Sequence, residues 1–177
     1  MSEYYYLVAS LPMLEFGNMK PFSCGDFLIR CREHLNTIDM ATLERVSIAP
    51  QEDPDDPSPT LREWKTFEVT LRNDLARARA AKKGKDPAPY IRKEESPDPF
   101  MAGFAHWLTE QEDPLEVERS FDKFRWERIE EIKKGHYFDI VHLITYALQL
   151  QIIEWWEMLN SKGGMEVLQE LVTKETA

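Results

Sequence analysis

Apolar residues recur at steps of three and four through most of the chain, the spacing that lines one face of an α-helix. In residues 59–83, Leu61, Trp64, Phe67, Leu71, Leu75 and Ala78 form such a stripe, with Ser58 and Pro59 suited to the helix start and Gly84 to its end. Asp113, Pro114 and Glu116 mark the start of a second helix that runs to Lys134 and stops at Gly135, with Val117, Phe121, Phe124 and Ile132 on its apolar face. The stretch Ile140 to Ile153 carries no charged residue and belongs to a third helix, predicted over 137–159. A short last helix should carry Met165, Val167, Leu168, Leu171 and Val172. Near the start, Ser23 and Asp26 have capping-box spacing and open a helix that turns Phe27, Leu28, Cys31 and Leu35 inward. Asp39 is placed to cap a further short helix ending near Ser47.

Strand signals are nearly absent: there is no Asn-Gly or Asp-Gly turn and no sustained period-two alternation. Tyr4 to Val8 has β-favouring composition, but a solitary strand would leave its backbone groups unpaired, so a short helix is predicted there. Of the 11 prolines, nine lie between Pro50 and Pro114, concentrated in 50–59 and 87–99. The predicted fold is all-α, with two helix-rich lobes: 1–86, containing the long central helix, and 100–177, joined by the Pro-rich connector 87–99. The helices near 59–83 and 137–159 are its struts. Burial is expected for Trp64, Phe67, Leu71, Phe121, Phe124, Leu143, Leu148 and Ile152.

Composition narrows the function classes. A chain of 177 residues, 42% hydrophobic, can bury a core, while its formal net charge of −10 opposes binding to nucleic acid or to an anionic membrane. The charge-free stretch is shorter than the roughly 20 residues of a membrane span, and it contains His142, Gln149 and Gln151. No direct membrane insertion is therefore expected. The N-terminus lacks the basic and long apolar regions of a secretion signal, which favours a cytoplasmic location. Cys24 and Cys31, seven positions apart on one helix, are separated by about 10 Å of rise, too far for a disulfide, and read as reduced core residues.

Candidate chemistry is sparse. His136, Asp139 and His142 are spaced three apart, but on a helix they turn progressively around the axis, and no companion motif completes a metal site. His106 and Glu110 have the spacing of an ordinary helix contact. Neither cysteine has a nucleophile-base arrangement, and no phosphate-binding or nucleophile-elbow motif occurs. No catalytic, cofactor or metal residue is assigned, and an enzyme is not expected. The segments 38–46 and 121–129 echo one another and place Arg45 and Arg128 along apolar stripes, either as paired charges at a junction or as stems lying over the core edge. Lys65, Arg72, Arg79 and Lys83 form a longitudinal basic stripe on the central helix, thickened by Arg77, Lys82 and Lys85. With Trp155 and Trp156, whose side chains diverge by about 100°, they are the candidate partner-binding residues.

Two stretches carry a resemblance: YYYLVASLPML, Tyr4 to Leu14, and the block from Phe121 through HYFDIVHLITYALQLQIIEWWEML to Gly164. They resemble an uncharacterised bacterial family encoded beside V-type ATPase genes, itself distantly similar to the C/d-type socket component of V-type ATPases. That component is all-helical and joins the central rotor stalk to the membrane ring. The socket has three comparable helical units, whereas this chain has room for about two. The resemblance implies a non-catalytic accessory or rotor-linking role, V-type ATPase subunits as partners, and a place peripheral to the inner membrane through a protein complex. It implies no catalytic residue. The alternatives are a free-standing helical protein-binding regulatory module and, more distantly, a metal-dependent helical enzyme.

Overall fold

The structure, a computed structural model, describes residues 4–49, 56–92 and 99–161. The predicted helix near 165–172 lies outside them. The described residues form seven α-helices and no strand: α1 (Tyr5–Ser10), α2 (Cys24–Arg32), α3 (Thr37–Glu44), α4 (Pro59–Lys82), α5 (Pro99–Glu110), α6 (Pro114–Lys133) and α7 (Ile140–Asn160). The all-α expectation holds, and the β-rich composition at Tyr4 to Val8 yields to helix.

Two compact units are present, one made of Met1–Ile48 with Ile129–Ala177 and the other of Ala49–Arg128. Their boundaries do not coincide with the sequential lobes 1–86 and 100–177. The central helix α4 packs with α5, whereas α2 and α3 pack with α7. Tertiary pairing, not chain order, groups the helices.

In the first unit α7 is buried from Leu143 through Leu150 on all sides, as a helix apolar around its whole circumference requires. Phe27 of α2 and Phe22 flank the Tyr146 ring at 5.1 and 6.3 Å, and the Tyr146 hydroxyl donates to the Pro12 carbonyl at 3.0 Å. Burial pushes the Tyr146 phenol up to about 12. The Gln151 side chain donates to the Val46 carbonyl and accepts from the Ile48 amide, each at 2.9 Å, so it satisfies the irregular backbone that follows α3. Ser23 and Asp26 form the capping box of α2. Asp39, expected as a cap, lies within the first turn of α3; Asn36 is the cap and accepts from the Asp39 amide at 2.9 Å. This leaves the Asp39 carboxylate to accept from the Tyr4 hydroxyl and from Asn36 Nδ2.

In the second unit Ser58 caps α4 and Pro59 occupies its first position. The helix ends in a Schellman arrangement: the Gly84 amide reaches the Ala81 carbonyl at 3.1 Å and the Lys85 amide reaches Ala80 at 2.9 Å. That geometry holds Gly84 at φ +62°. Of the expected core, Trp64, Phe67, Leu71 and Phe121 are buried here, as are Leu143, Leu148 and Ile152 in the other unit. Phe124 is only half-buried, because its ring lies between Phe67 and the partly exposed rings of α5.

Two glycines separate backbone strain from packing. A Cβ would meet nothing within 4 Å at either Gly84 or Gly103, but Gly84 has positive φ and Gly103 lies inside α5. Gly84→Ala should cost about 1 kcal/mol, and Gly103→Ala should stabilise by roughly 0.5–1 kcal/mol. Thermal unfolding followed by circular dichroism reads the opposite signs directly.

Candidate functional site

The most strongly built polar site lies in the second unit, between α4 and α6. Glu68 sits on the apolar stripe of α4 and is 1% exposed. Its Oε1 accepts from Arg125 Nε at 2.7 Å and its Oε2 from an Arg125 terminal nitrogen at 2.9 Å, a bidentate fork. The other terminal nitrogen of Arg125 donates to Asp122 at 2.8 Å, and the guanidinium lies 4.1 Å from the Phe121 ring centroid. Arg72 adds a second cation, 3.1 Å from Glu68 Oε2. Burial alone would disfavour the charge on Arg125, but the hydrogen bonds and charges of Glu68 and Asp122 outweigh it and hold the guanidinium above its ordinary value. Arg72, by contrast, is lowered by burial and by the nearby Arg125 and Arg92, with Glu68 opposing. Two carboxylates and two guanidiniums form a balanced set with every nitrogen of Arg125 engaged, which suits a helix lock and not a proton-transfer site.

The predicted partner residues fall into distinct environments. Lys65 is half-buried, and its Nζ is enclosed without a hydrogen-bond partner among the described residues. Arg72 is drawn into the Glu68 cluster, and Arg77 pairs with buried Asp74 at 2.8 Å. Arg79 and Lys83 are exposed, as are Lys82 and Lys85. The exposed basic surface of α4 is therefore its last turn, not its whole length. Trp155 and Trp156 lie on α7 in the first unit and are both half-buried. Arg128 combines both readings of its position, pairing with Glu63 at 2.7 Å while its guanidinium stands 5.9 Å from the Phe67 ring centroid. Arg45 is exposed and forms the C-cap of α3.

The histidine group does not lie on one helix, because α7 begins at Ile140 and not at Tyr137. Asp139 is its N-cap and accepts from the His142 amide at 3.2 Å, and its other oxygen accepts from His136 Nδ1 at 2.6 Å. His142 Nδ1 faces the His136 carbonyl at 3.2 Å, so this nitrogen carries the proton. These bonds build the α6–α7 turn. Both thiols are pushed up to about 12, Cys24 by burial and then by Glu154, Cys31 by burial, so neither is poised as a thiolate.

The described residues thus define an all-α protein with a buried ionic lock, and no described helix is long and apolar enough to cross a membrane. Residues 106–176, less than half of the chain, match the model of a family described as a protein of unknown function (DUF2764). No significantly similar protein was found among the curated proteins or the solved structures.

Two measurements test the site. Arg125→Met leaves Asp122 buried without its guanidinium and Glu68 with only the half-buried Arg72, and should cost about 3–5 kcal/mol in urea unfolding. Adding Glu68→Met and Asp122→Asn should recover most of that loss, since the uncompensated charge is what destabilises. For His142, burial lowers the folded pKa below its ordinary 6.5, with Lys133 acting in the same direction, against weaker opposition from the hydrogen bond to the His136 carbonyl and then from Asp139 and Glu130. Its contribution is therefore complete above pH 6.5 and declines as pH falls through the folded value. His142→Asn, which keeps an amide donor near Nδ1, should lose less stability than the wild type between pH 7.5 and 5.5. Equal losses would assign the acid sensitivity to other groups.

Proposed function

We propose that this chain is a non-catalytic accessory or rotor-linking subunit of a bacterial V-type ATPase, acting in the cytoplasm at the periphery of the membrane through protein contacts. One observation carries the reading. The two stretches that resemble the family encoded beside V-type ATPase genes, Tyr4 to Leu14 and the block beginning at Phe121, are far apart in sequence, yet the first meets Phe138 and Tyr146 of the second within the first unit. The Tyr4 amide donates to the Phe138 carbonyl, the Tyr5 and Phe138 rings stand 4.7 Å apart, and Tyr146 reaches Pro12. An all-helical build and a carboxylate–guanidinium lock with no free acid or base support a structural role over a chemical one.

Affinity purification of the tagged chain from its native cell, under conditions that keep the rotary complex intact, should recover V-type ATPase subunits in stoichiometric amount, and the isolated chain should not hydrolyse nucleotide. Recovery of an intact ATPase that lacks the chain, with unrelated proteins on the tag, would replace this reading with the free-standing regulatory module.

A further inference from the structure

Within the second unit, helix α4 grips another stretch of the chain by its backbone. Asn73 is 1% exposed, and both polar ends of its amide go to one residue. Its Nδ2 donates to the Arg92 carbonyl at 3.1 Å, and its Oδ1 accepts from the Arg92 amide at 2.9 Å. That is the pair of bonds one strand residue gives another, supplied here by a side chain. The clamp touches only main-chain atoms of the residue it holds. Its neighbours on the same face are engaged within their own helix: Thr70 donates to the Thr66 carbonyl at 2.9 Å, and Arg77 pairs with Asp74 at 2.8 Å. Asn73 reaches out of the helix instead.

The stretch so held adds nothing to the core, since no residue from Ala81 to Arg92 is buried. Two of its own bonds are local, from the Ala88 amide to Asp86 and from the Tyr90 amide to the Pro87 carbonyl. Ile91, just before the clamp, is extended at φ −91° and ψ 128°. A buried amide holding an extended, exposed stretch has the chemistry of peptide recognition, in which main-chain bonds supply affinity without regard to side chains. Lifting the stretch exchanges two internal hydrogen bonds for two to water, a nearly even trade that leaves the core intact.

We propose that the Asn73 face of α4 is a binding site for an extended, proline-flanked peptide segment of a partner protein, and that residues 86–92 fill it as an exchangeable internal occupant. The occupant in place defines the class of ligand. Pro87 and Pro89 restrict its backbone, which lowers the entropy lost on seating, and the clamped residue offers one N–H and one C=O. A short tether gives the internal segment a millimolar effective concentration, so the site stays closed until a partner competes or the segment is drawn away. The chemistry of the clamp is independent of the proposed ATPase role.

The test uses the full chain labelled with ¹⁵N, read at the Asn73 side-chain amide and at the Arg92 backbone amide. Asn73→Ala should speed hydrogen exchange at the Arg92 amide by about tenfold or more. Arg92→Pro deletes the N–H that Asn73 accepts from, suits the extended Ile91 before it, and alters no buried side chain. Its circular dichroism melt should match that of wild type. The probe is the acetylated and amidated heptapeptide DPAPYIR, the sequence of residues 86–92. It should shift the Asn73 signal of Arg92→Pro at least about tenfold more tightly than that of wild type or Arg92→Ala, which keeps the backbone donor. DPAPYIP, which lacks that donor, should not bind Arg92→Pro, and DPAPYIR should not bind the Asn73→Ala, Arg92→Pro double variant. Failure of DPAPYIR to bind Arg92→Pro overturns the proposal, as does binding that survives Asn73→Ala. Wild type binding as tightly as Arg92→Pro shows that residues 86–92 are no occupant, and Arg92→Ala behaving like Arg92→Pro assigns the grip to the arginine side chain; either result overturns it. A concentration-dependent dimer of wild type that Arg92→Pro abolishes overturns it in favour of a second copy as the partner.

Discussion

A helix that has no polar face must be covered from every direction, and α7 sets that demand on the first unit. From Leu143 to Leu150 each side chain is buried, so neither a single packing partner nor the solvent can serve it. The response is distributed: α2 and α3 pack against it, and the segment around Pro12 receives the Tyr146 hydroxyl. Its polar residues are handled individually. Gln149 donates to Glu130 while its Oε1 has no partner among the described residues, Gln151 bridges the backbone after α3, and Lys20 pairs with Glu154 and Glu157 at 3.1 and 3.3 Å. Each of these bonds is long-range or inter-element, so the contacts that satisfy α7 also fix where the shorter helices lie.

The second unit meets a different constraint, a carboxylate placed on an apolar stripe. Removing Glu68 from water without a partner would cost several kcal/mol, roughly 3–5 by the effect of breaking such pairs. The fork from Arg125 meets this need with ideal geometry, and Asp122 and Arg72 balance the charge. An apolar contact between α4 and α6 tolerates sliding, whereas a bidentate guanidinium does not. The lock therefore specifies register more than it adds stability.

What can be read from sequence follows from how local each cause is. The ends of α4 are encoded in Ser58, Pro59 and Gly84, and the observed helix begins at Pro59 and finishes at Lys82. The start of α6 is likewise written in Asp113 and Pro114, whose cap bond from the Leu115 amide is 2.9 Å. Asp39 is ambiguous because Asn36 and Asp39 are both good caps three residues apart, and the Tyr4 hydroxyl decides between them from a distant segment. The start of α7 lies three residues beyond the predicted one for a similar reason: Asp139 is occupied both by the His142 amide and by His136, which makes it the N-cap and starts the helix at Ile140, after Tyr137. Helix α5 escapes a reading by pattern because it follows in sequence directly on the Pro-rich 87–99 stretch, and Pro99, which looks like a connector residue, is its first residue. The ionic lock does leave a signal in the chain: Glu68 falls between Trp64 and Leu71 on the stripe, and Arg125 falls between Phe121 and Ile129, so complementary charges interrupt two apolar faces. Arg128 is the more conspicuous arginine only because it echoes Arg45, a similarity of pattern and not of environment.

The same buried carboxylates decide which cations remain outside. Lys65, Arg72, Arg79 and Lys83 are equivalent on a helical wheel, yet they differ in what lies beneath them. Glu68 draws Arg72 inward and Asp74 draws Arg77, because a desolvated carboxylate gains more from a neighbouring guanidinium than a solvated one does. Below the last turn of α4 the buried side chain is Ala80, which offers no such charge. The cations there stay extended and hydrated, and their placement at a helix C-terminus is favourable in itself. The partition of the stripe into an inner structural half and an outer accessible half is thus a consequence of where the core holds its acids, a property that periodicity alone does not carry.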